Sequence, residues 1–296
     1  MTALATIAHP ALQRRPAERE LVQLVTDWSG KVPHGGAVVE PKTDGIRALF
    51  IGGELVTREG NPILGTRHIL EACRTIQSEF GFPVVIDGEF QVRGSFTATV
   101  GHFKAIGNRG DAGTFFAFDV LPERTWRGED VCEALHARRA KLDEYARPFV
   151  GDALQIVPWA YMTEAAEIEA RARELIAAGG EGVVVKDVNS TYRRSKSANW
   201  QRIRRSITVD APIVGWNELR PGSGLLGSLV LDYEGVRVTV AVGFSDDERR
   251  HLWMQALDGL LLGEWVEVEA MDRTERGSLR QARFVRLRGD RERVRI

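Results

Sequence analysis

The sequence of 296 residues has little cysteine, no long apolar run and no excess of charge of one sign. Its two cysteines, Cys73 and Cys132, lie far apart and neither belongs to a Cys-x-x-Cys pair. This excludes a disulfide framework and a cysteine-rich zinc site, and it fits a reducing, cytoplasmic compartment. No stretch approaches the roughly 18 apolar residues that a transmembrane helix needs, and the N-terminus lacks the apolar segment of a signal peptide. We therefore expect no association with a membrane.

The charges nearly cancel. Lysine and arginine together number 40 and aspartate and glutamate 41, which gives a formal net charge of −1. No global positive field can attract a polyanion, so any site for one must be a local cluster of cations. With 43% hydrophobic and 27% charged residues, the composition is that of a globular protein. The length suits two domains.

Hydrophobic periodicity predicts the elements. Helices are expected over about 15–28, 67–79, 131–146 and 164–178, and strands over about 36–58 (a hairpin turning at Gly52-Gly53), 84–92, 114–121 and 181–188. After about residue 208 the sequence pattern changes and predicts short strands. One helix is expected among them over about 245–258, beginning at a serine cap. A small β-rich unit with one helix is typical of an OB-type barrel. We therefore expect one domain over 1–208 and an OB-fold domain over 209–296, with the boundary near Arg205–Asp210.

Residues 42–47 (Lys-Thr-Asp-Gly-Ile-Arg) lie between the first two strands of this pattern. A neutral lysine amine is a nucleophile, and a glycine permits a tight turn that lets backbone approach a ligand. Arg47 can hold a phosphate or ribose oxygen. A Lys-Asp-Gly turn with a solvated lysine is the ordinary alternative, but the full Lys-x-Asp-Gly-x-Arg spacing is rarer than that. The pattern favours Lys42 as a catalytic residue.

Further segments of the same chemical type follow in order. They are residues 57–60 (Thr-Arg-Glu-Gly), 87–89 (Asp-Gly-Glu), 115–119 (Phe-Phe-Ala-Phe-Asp), 181–186 (Glu-Gly-Val-Val-Val-Lys), 200–204 (Trp-Gln-Arg-Ile-Arg) and 283–291 (Arg-Phe-Val-Arg-Leu-Arg-Gly-Asp-Arg). Singly, each has an ordinary interpretation as a core aromatic, a carboxylate at a strand end or a solvated arginine face. Their order along the chain is what favours function.

In this order the segments resemble the motifs of the covalent nucleotidyltransferases, which include DNA ligases, RNA ligases and mRNA capping enzymes. The resemblance is strongest to the small two-domain ATP-dependent DNA ligases of bacteriophages and bacteria. It implies an α+β fold, with a nucleotidyltransferase domain of antiparallel sheets flanked by helices and a C-terminal OB-fold barrel. It also implies ATP as the cofactor with AMP bound covalently, Mg²⁺ (with Mn²⁺ able to substitute), and nicked double-stranded DNA as the partner of a monomer.

The resemblance assigns roles to individual residues. Lys42 would carry AMP, Glu89 and Glu181 would bind the metal ion, and Phe118 would stack on the base with Val184 on its other face. Lys186, Arg202 and Arg204 would contact phosphates. The full set of nucleotide-binding residues that it implies is Glu40, Thr43, Arg47, Arg58, Glu89, Phe118, Val184, Lys186, Arg202, Arg204, Arg288 and Arg291.

Three of these positions depart from the family pattern, which has lysine where this chain has Arg202, Arg204 and Arg291. Arginine keeps the positive charge but brings a larger, planar group, so the geometry of attack by Lys42 is where this chain can differ. Strand alternation makes three further predictions. Val184 and Lys186 should face away from Val183 and Val185, Arg202 and Arg204 away from Ile203, and Val285 and Leu287 together away from Arg286 and Arg288.

Two alternatives stay open in the sequence. The chemistry could serve an RNA ligase or a capping-type enzyme, or the lysine-to-arginine changes could mark a nucleic-acid-binding relative without catalysis. Whichever holds, phosphate contacts dominate non-specific affinity for nucleic acid. The segment 190–198 (Ser-Thr-Tyr-Arg-Arg-Ser-Lys-Ser-Ala) combines three cations with hydroxyls, and we expect it to contact the backbone of the DNA.

Overall fold

The computed structural model of the protein describes residues 21–105, 110–274 and 276–294. Contacts divide the chain into two compact units, with the division between Arg204 and Arg205. The assignment of 1–208 and 209–296 as domains stays a prediction. Among the described residues no helix is both long enough and apolar enough to cross a membrane.

The described residues of the first unit contain ten strands. They are β1 (Leu24–Asp27), β2 (Ala37–Pro41), β3 (Ile46–Ile51), β4 (Glu54–Thr57), β5 (Val84–Gln91), β6 (Thr114–Pro122), β7 (Leu154–Ile156), β8 (Ala160–Met162), β9 (Gly182–Asp187) and β10 (Lys196–Arg204). One five-stranded sheet has the order β1-β10-β9-β2-β8 and the other β4-β3-β5-β6-β7. Neighbours are antiparallel except at β1–β10 and β6–β7, which are parallel. The expected antiparallel sheets are thus mixed at these two edges.

Within the described part of this unit, five α-helices accompany the sheets: α1 (Arg67–Phe80), α2 (Phe96–Lys104), α3 (Glu123–Trp126), α4 (Leu135–Ala146) and α5 (Ala165–Ala177). A short 3-10 helix, Arg147–Phe149, follows α4. Helix α1 forms because Ile69, Cys73 and Ile76 recur at helical spacing and are buried on one face. It ends at Gly81, whose φ of 71° is left-handed and whose N–H donates to Ser78 O. Helix α1 packs its buried face into one apolar core, which also takes Leu142 and Ala146 of α4, and α5 packs on another.

A third core connects the two sheets. It contains Leu49 and Val85 of the second sheet and Trp200 of the first, together with Phe118 and Tyr192. Burial of apolar side chains stabilises by roughly 25 cal/mol for each Å² removed from water, so this core fixes both sheets in one unit. The candidate site lies on its border.

Most of the predicted elements of this unit are confirmed, with two corrections. The helix expected over 15–28 is wrong where the structure describes it, because Leu24–Asp27 is strand β1 paired with β10; residues 15–20 lie outside the described part. Pairing with an available sheet edge overrides a local periodicity that would also suit a helix. The helix expected over 131–146 begins only at Leu135. Strands β7 and β8 and helices α2 and α3 were not predicted.

The second unit contains seven strands and one helix among the described residues. They are β11 (Ile207–Glu218), β12 (Leu226–Tyr233), β13 (Val236–Val240), α6 (Asp246–Leu257), β14 (Trp265–Ala270), β15 (Asp272–Arg273), β16 (Leu279–Arg280) and β17 (Arg283–Leu287). Its five-stranded sheet has the order β13-β12-β11-β14-β17. The long β11 pairs with both β12 and β14. Helix α6, between β13 and β14, begins at Ser245 with a reciprocal capping box to Glu248, as the sequence predicts.

The two edges of this sheet meet. A parallel bridge joins Val242, just after β13, to Arg283 of β17, and Phe284 N–H donates to Val242 O at 2.9 Å. This unit has a five-stranded sheet whose long first strand pairs with two neighbours, and its helix precedes the fourth strand. These features are typical of an OB-type fold. The prediction of an OB-fold in the C-terminal part of the chain is confirmed.

One face assignment in β17 is wrong. Val285 is 41% exposed, whereas Leu287 packs against the core of this unit together with Phe284. The pairing of β14 with β17 shifts register between Glu267 and Val268. This bulge places an extra residue in β17 and ends the simple alternation.

Candidate active site

Lys42 follows β2 directly and is anchored by its backbone, which donates to Gly182 O at 2.9 Å. Its side chain is partly exposed, and Nζ lies 2.7 Å from Glu181 Oε1. Gly182, at the start of β9, has a φ of 133°, and a Cβ there would lie 2.0 Å from Ile203 O. Only glycine allows β9 and β10 to approach so closely. The structure therefore brings Lys42 and Glu181 together through a glycine-dependent strand start.

Gly45 is required for a different reason than a tight turn. A Cβ at Gly45 would lie 2.3 Å from Phe90 O and 3.0 Å from Glu89 Cγ. The glycine thus lets the start of β3 pack against β5, and this places Glu89 beside the segment that carries Lys42.

Glu89 and Glu181 are two carboxylates near Lys42; Glu89 is half-buried, and the Glu181 side chain is 7% exposed. Burial raises the pKa of Glu89 to about 7; Lys42 and Arg47 oppose this shift, and Glu181 adds to it. Glu181 Oε2 is buried without a hydrogen-bond partner. No cluster of three or more His, Cys, Asp or Glu side chains occurs within the described part of the chain. Two carboxylates beside a lysine are thus the available ligands for a cation at this place.

Arg47 is held by Asp87 of β5 in a bidentate pair. It donates from Nε to Oδ1 and from Nη2 to Oδ2, both at 2.7 Å. Its guanidinium also lies 4.5 Å from the centre of the Phe118 ring. Burial works against the positive charge, but pairing with Asp87 raises the pKa of Arg47 above its ordinary value. Arg47 is therefore a fixed cation at the edge of the aromatic core.

Glu40, Lys186 and Arg139 form a buried ionic network. Lys186 Nζ lies 2.5 Å from Glu40 Oε2, and Arg139 Nη1 lies 3.5 Å from Glu40 Oε1. Burial lowers the pKa of Lys186, and Glu40 counteracts this. Glu40 Oε1 is buried with no hydrogen-bond partner, which leaves a carboxylate oxygen available to a ligand donor.

Lys186 also lies between two rings. Its Nζ is 4.2 Å from the ring centres of both Phe118 and Trp200. The face assignment is confirmed, since Val183 and Val185 pack on the opposite side of the sheet with α5. The structure thus brings Lys186 to the aromatic core, and its contact with phosphates stays a prediction.

Phe118 is 8% exposed, and two cations lie on its ring. Phe116 packs against the same core but stays half-buried. Phe116 was not singled out from the sequence, although residues two apart on a strand share a face. Val184 is half-buried and pairs in register with Glu40 of β2 and Arg202 of β10. Both aromatic rings, with Val184, are candidates to contact a base.

Arg202 and Arg204 lie on β10, and Ile203 between them packs on the α5 side of the sheet, as alternation predicts. Arg202 Nε donates to Asp27 Oδ1 at 2.9 Å. Arg58, after β4, pairs at the surface with Glu59 at 2.5 Å. Thr43 is half-buried beside Lys42.

The arginines predicted near the C-terminus belong to the second unit and are paired there. Arg288 contacts Asp210 at 3.0 Å and Asp290 at 2.7 Å. Arg291 contacts Asp210 at 2.7 Å and lies over the Trp265 ring. The hydrogen bond from Arg288 lowers the pKa of Asp290.

Two functional candidates were missed in α4, where Arg138 and Arg139 are both buried. Arg138 makes a bidentate pair with Asp119, with both contacts at 2.8 Å. The sequence does carry a signal for them. The two arginines occupy the helical stripe otherwise formed by Leu135, Leu142 and Ala146, and a charge in an apolar stripe indicates a buried pair.

Comparison with models of known protein families identifies the family of this chain. The family model described as "ATP dependent DNA ligase domain" matches residues 20–204, and the model described as "DNA ligase OB-like domain" matches residues 222–288. The first match alone spans more than half of the chain, so the chain belongs to the ATP-dependent DNA ligase family.

Individual relatives agree with this assignment. DNA ligase C of Mycobacterium tuberculosis is 30% identical over 239 residues, which cover 73% of this chain and 64% of that protein. A DNA ligase of Haloarcula marismortui is 28% identical over 259 residues, covering 79% of this chain and 45% of that protein. The chain thus spans only about half to two thirds of the length of these relatives.

The fold also matches solved structures. A structure described as Pmar-Lig_PreS3 has a TM-score of 0.77 at 22% identity and covers 90% of this chain and 67% of that chain. A structure from a study of Lig E DNA ligases, titled "DNA binding with a minimal scaffold", has a TM-score of 0.70 at 23% identity and covers 90% and 98%. These matches establish the fold of the two units.

Proposed function

We propose that this chain is an ATP-dependent DNA ligase that seals nicks in duplex DNA through AMP bound covalently to Lys42. The observation that carries the proposal is the position of the Lys42 amine, 2.7 Å from Glu181 within a chain of this family. The neutral amine of a lysine is a nucleophile, and Lys42 combines a partly exposed side chain with a backbone fixed by its hydrogen bond to Gly182 O. We further propose that the enzyme is a monomer that acts in the cytoplasm, where its two free cysteines stay reduced.

The reaction has three steps, each an in-line phosphoryl transfer. The Lys42 amine attacks the α-phosphorus of ATP, forming a P–N bond and expelling pyrophosphate. The 5′-phosphate at a nick then displaces Lys42 and takes the AMP. Finally the 3′-hydroxyl attacks that 5′-phosphate, seals the strand and releases AMP.

Lys42 must lose a proton before it can attack, and Glu181 Oε1 at 2.7 Å is placed to hold that proton. The other oxygen, Oε2, is buried without a partner and is left for a cation. Glu89 adds a second carboxylate whose charge burial disfavours. This pair fits Mg²⁺, which proteins bind through one or two carboxylates together with substrate phosphates, and Mn²⁺ can take its place. When bound, the cation supplies positive charge that stabilises the phosphate oxygens during transfer.

The other predicted residues divide by position. Phe118, Phe116 and Val184 border the place of the base, and Glu40 Oε1, 3.5 Å from Arg139 Nη1, is an acceptor for an N–H donor of a ligand. The choice of ATP rests on the family of the chain. Arg47, Thr43 and Arg58 serve the ribose and phosphates, together with Lys186, Arg202 and Arg204, and Arg288 and Arg291 serve the leaving pyrophosphate.

The RNA ligase and capping-type alternatives are less well supported, because both matching family models are those of DNA ligases. The segment 190–198 supports a nucleic-acid substrate. Arg193 and Lys196 in it are exposed, as cations that contact a phosphate backbone must be.

The test uses ATP labelled at the α-phosphate, with Mg²⁺ and then with a nicked duplex. We expect labelled protein, transfer of the label to the 5′-phosphate and a sealed strand. Lys42→Ala should abolish labelling, whereas Lys141→Ala, on the exposed surface of α4, should not. Labelling with GTP in place of ATP, or sealing of nicked RNA alone, would favour the alternatives. Binding of DNA without any labelling would indicate the inactive relative and refute the proposal.

A further inference from the structure

Tyr192 stands out in the segment that joins β9 to β10. The residues on either side of it, Thr191 and Arg193, are exposed, whereas Tyr192 is buried in the core between the two sheets. Its ring meets Trp200 edge-on at 5.9 Å. Tyr192 is thus the aromatic side chain by which residues 190–198, the cationic segment, contact this core, and it carries a hydroxyl.

The Tyr192 hydroxyl contacts Asp87, the carboxylate that pairs with Arg47. It donates to Asp87 Oδ2 at 2.6 Å and accepts from the backbone N–H of Gln23 at 3.2 Å. The same Oδ2 accepts from Arg47 Nη2 at 2.7 Å. One carboxylate oxygen is thus shared by a nucleotide-site arginine and by the tyrosine of the cationic segment.

The backbone of the segment is fixed around Tyr192. Ser190 O accepts from Arg138 Nη1 at 3.1 Å, and Arg193 N–H donates to Gln23 Oε1 at 2.9 Å. Tyr192 N–H itself donates to Cys132 Sγ at 3.2 Å. Because Arg193 follows the buried ring directly and Lys196 lies three residues further on, a displacement of Tyr192 is transmitted to these exposed cations.

We propose that Tyr192 is a positioning residue that connects the cationic segment to Arg47. Its hydroxyl then controls both the orientation of Arg47 in the ATP site and the position of the segment that binds DNA. The inference rests on the proposed function, since it takes Arg47 as a nucleotide contact and the segment as a DNA contact. Tyr192 touches neither ligand itself and acts through Asp87.

The physical basis is the strength of hydrogen bonds to a charged acceptor. Such bonds are short and about twice as strong as hydrogen bonds between neutral groups. The contact of Tyr192 with Asp87 is buried, so water does not replace the hydrogen bond when the hydroxyl is removed. Burial beside Asp87 also raises the pKa of Tyr192, so the hydroxyl stays a donor throughout the neutral range. Without the Tyr192 hydroxyl, Asp87 Oδ2 accepts a side-chain hydrogen bond from Arg47 but none from Tyr192. The orientation of the Arg47 guanidinium is then less restricted.

The test compares Tyr192→Phe with Tyr145→Phe. The first variant keeps the ring against Trp200 and removes only the hydroxyl; the control removes the hydroxyl of a tyrosine in α4 whose ring packs on Phe80. Two quantities are measured: the KM for ATP in formation of labelled protein, and the Kd of the adenylated enzyme for a nicked duplex that ends in a 3′-dideoxynucleotide and cannot be sealed. Unfolding of each variant is followed in parallel.

For Tyr192→Phe we expect the KM to rise about tenfold, equivalent to about 1.4 kcal/mol, with a smaller change in the maximal rate. The Kd for the nicked duplex should rise in the same variant. Tyr145→Phe should leave both unchanged.

Three results would overturn the inference: no difference between the two variants, a change in only one of the two quantities, or loss of cooperative unfolding in Tyr192→Phe, because a positioning role requires a folded variant. If the unaltered enzyme forms no labelled protein, the proposed function itself fails and the inference fails with it. The unaltered enzyme therefore distinguishes the two failures.

Discussion

The two units of the molecule differ in how deeply they bury their arginine pairs. In the first unit, Arg47, Arg138 and Arg139 are paired with Asp87, Asp119 and Glu40, and Arg138 and Arg139 are almost completely buried. In the second unit the pairs formed by Arg273, Arg286 and Arg293 lie at the surface.

The difference matters because a buried pair must stay intact, whereas a surface pair exchanges readily with water and ions. Removing one partner of a buried pair leaves an uncompensated charge. Exposed pairs contribute little to stability. The buried arginines therefore restrict the positions of Asp119 and Glu40, whereas the exposed pairs of the second unit place a weaker restriction on their partners.

The largest effect is expected at the buried pair of α4 and β6. Asp119→Ala leaves Arg138 buried without its carboxylate and should reduce the free energy of unfolding by about 3–5 kcal/mol. Urea denaturation measures this. The matched surface variant is Asp247→Ala, which removes the partner of Arg250 and should cost less than about 1 kcal/mol. If Asp119→Ala and Asp247→Ala lose the same free energy of unfolding, buried and exposed arginine pairs do not differ in their contribution to stability.

Arg288 of the second unit should separate activity from stability. Arg288→Ala removes a side chain that is 20% exposed and paired with Asp210 and Asp290. The loss of stability should be smaller than in Asp119→Ala, while formation of labelled protein should slow about a hundredfold, the usual effect of losing one group that stabilises developing charge. Arg286→Ala, which breaks the neighbouring surface pair with Glu267, serves as the control. Should Arg288→Ala unfold the protein instead, the pairs that Arg288 forms would be structural.

The carboxylate at Glu89 predicts a pH dependence in metal-free protein. Its pKa is raised from 4.5 to about 7 by folding, so the folded state binds more protons than the unfolded state between these values. The contribution is fully present below about pH 4.5 and is lost as the pH rises through about 7. Denaturation at about pH 5 and about pH 8 should show this loss in the unaltered chain and a smaller one in Glu89→Gln. Glu71→Gln, on the exposed face of α1, should behave like the unaltered chain. An unchanged profile in Glu89→Gln would place the titration elsewhere.

The smallest effect concerns local structure in the second unit. Ser245→Ala removes the cap of α6, in which the Ser245 hydroxyl accepts from Glu248 N–H at 3.2 Å. A loss of about 1 kcal/mol is expected, measured by thermal unfolding of the whole chain. Ser223→Ala, in the loop between β11 and β12, is the control. A loss as large as that of Asp119→Ala would mean that the second unit also depends on a single polar contact.

The sequence predicts much of this architecture because local patterns and long-range contacts agree there. The hairpin of β3 and β4, helix α1 and the capped helix α6 follow from periodicity and caps alone. Strand β1 was predicted as helix because its partner, β10, lies far along the chain and no local pattern reveals that pairing. The bulge that exposes Val285 depends on the register with β14 for the same reason.

The site was predictable in its residues but not in its contacts. The order of motifs selects Lys42, Glu89 and Glu181, and the structure brings Lys42 and Glu181 within 2.7 Å. The burial of Lys186 beside Glu40 and the link from Tyr192 to Asp87 depend on side chains from separate strands and loops. Such contacts are set by packing of the two sheets, which the sequence pattern does not specify.

The central claim is that Lys42 is the residue that carries AMP. The most direct measurement is peptide mapping by mass spectrometry after incubation of the protein with ATP and Mg²⁺, with digestion conditions that keep the P–N bond intact. The account predicts a single adenylylated peptide that contains Lys42, and none in Lys42→Ala. An adenylyl group on another lysine, such as Lys186, or labelling that persists in Lys42→Ala would contradict it.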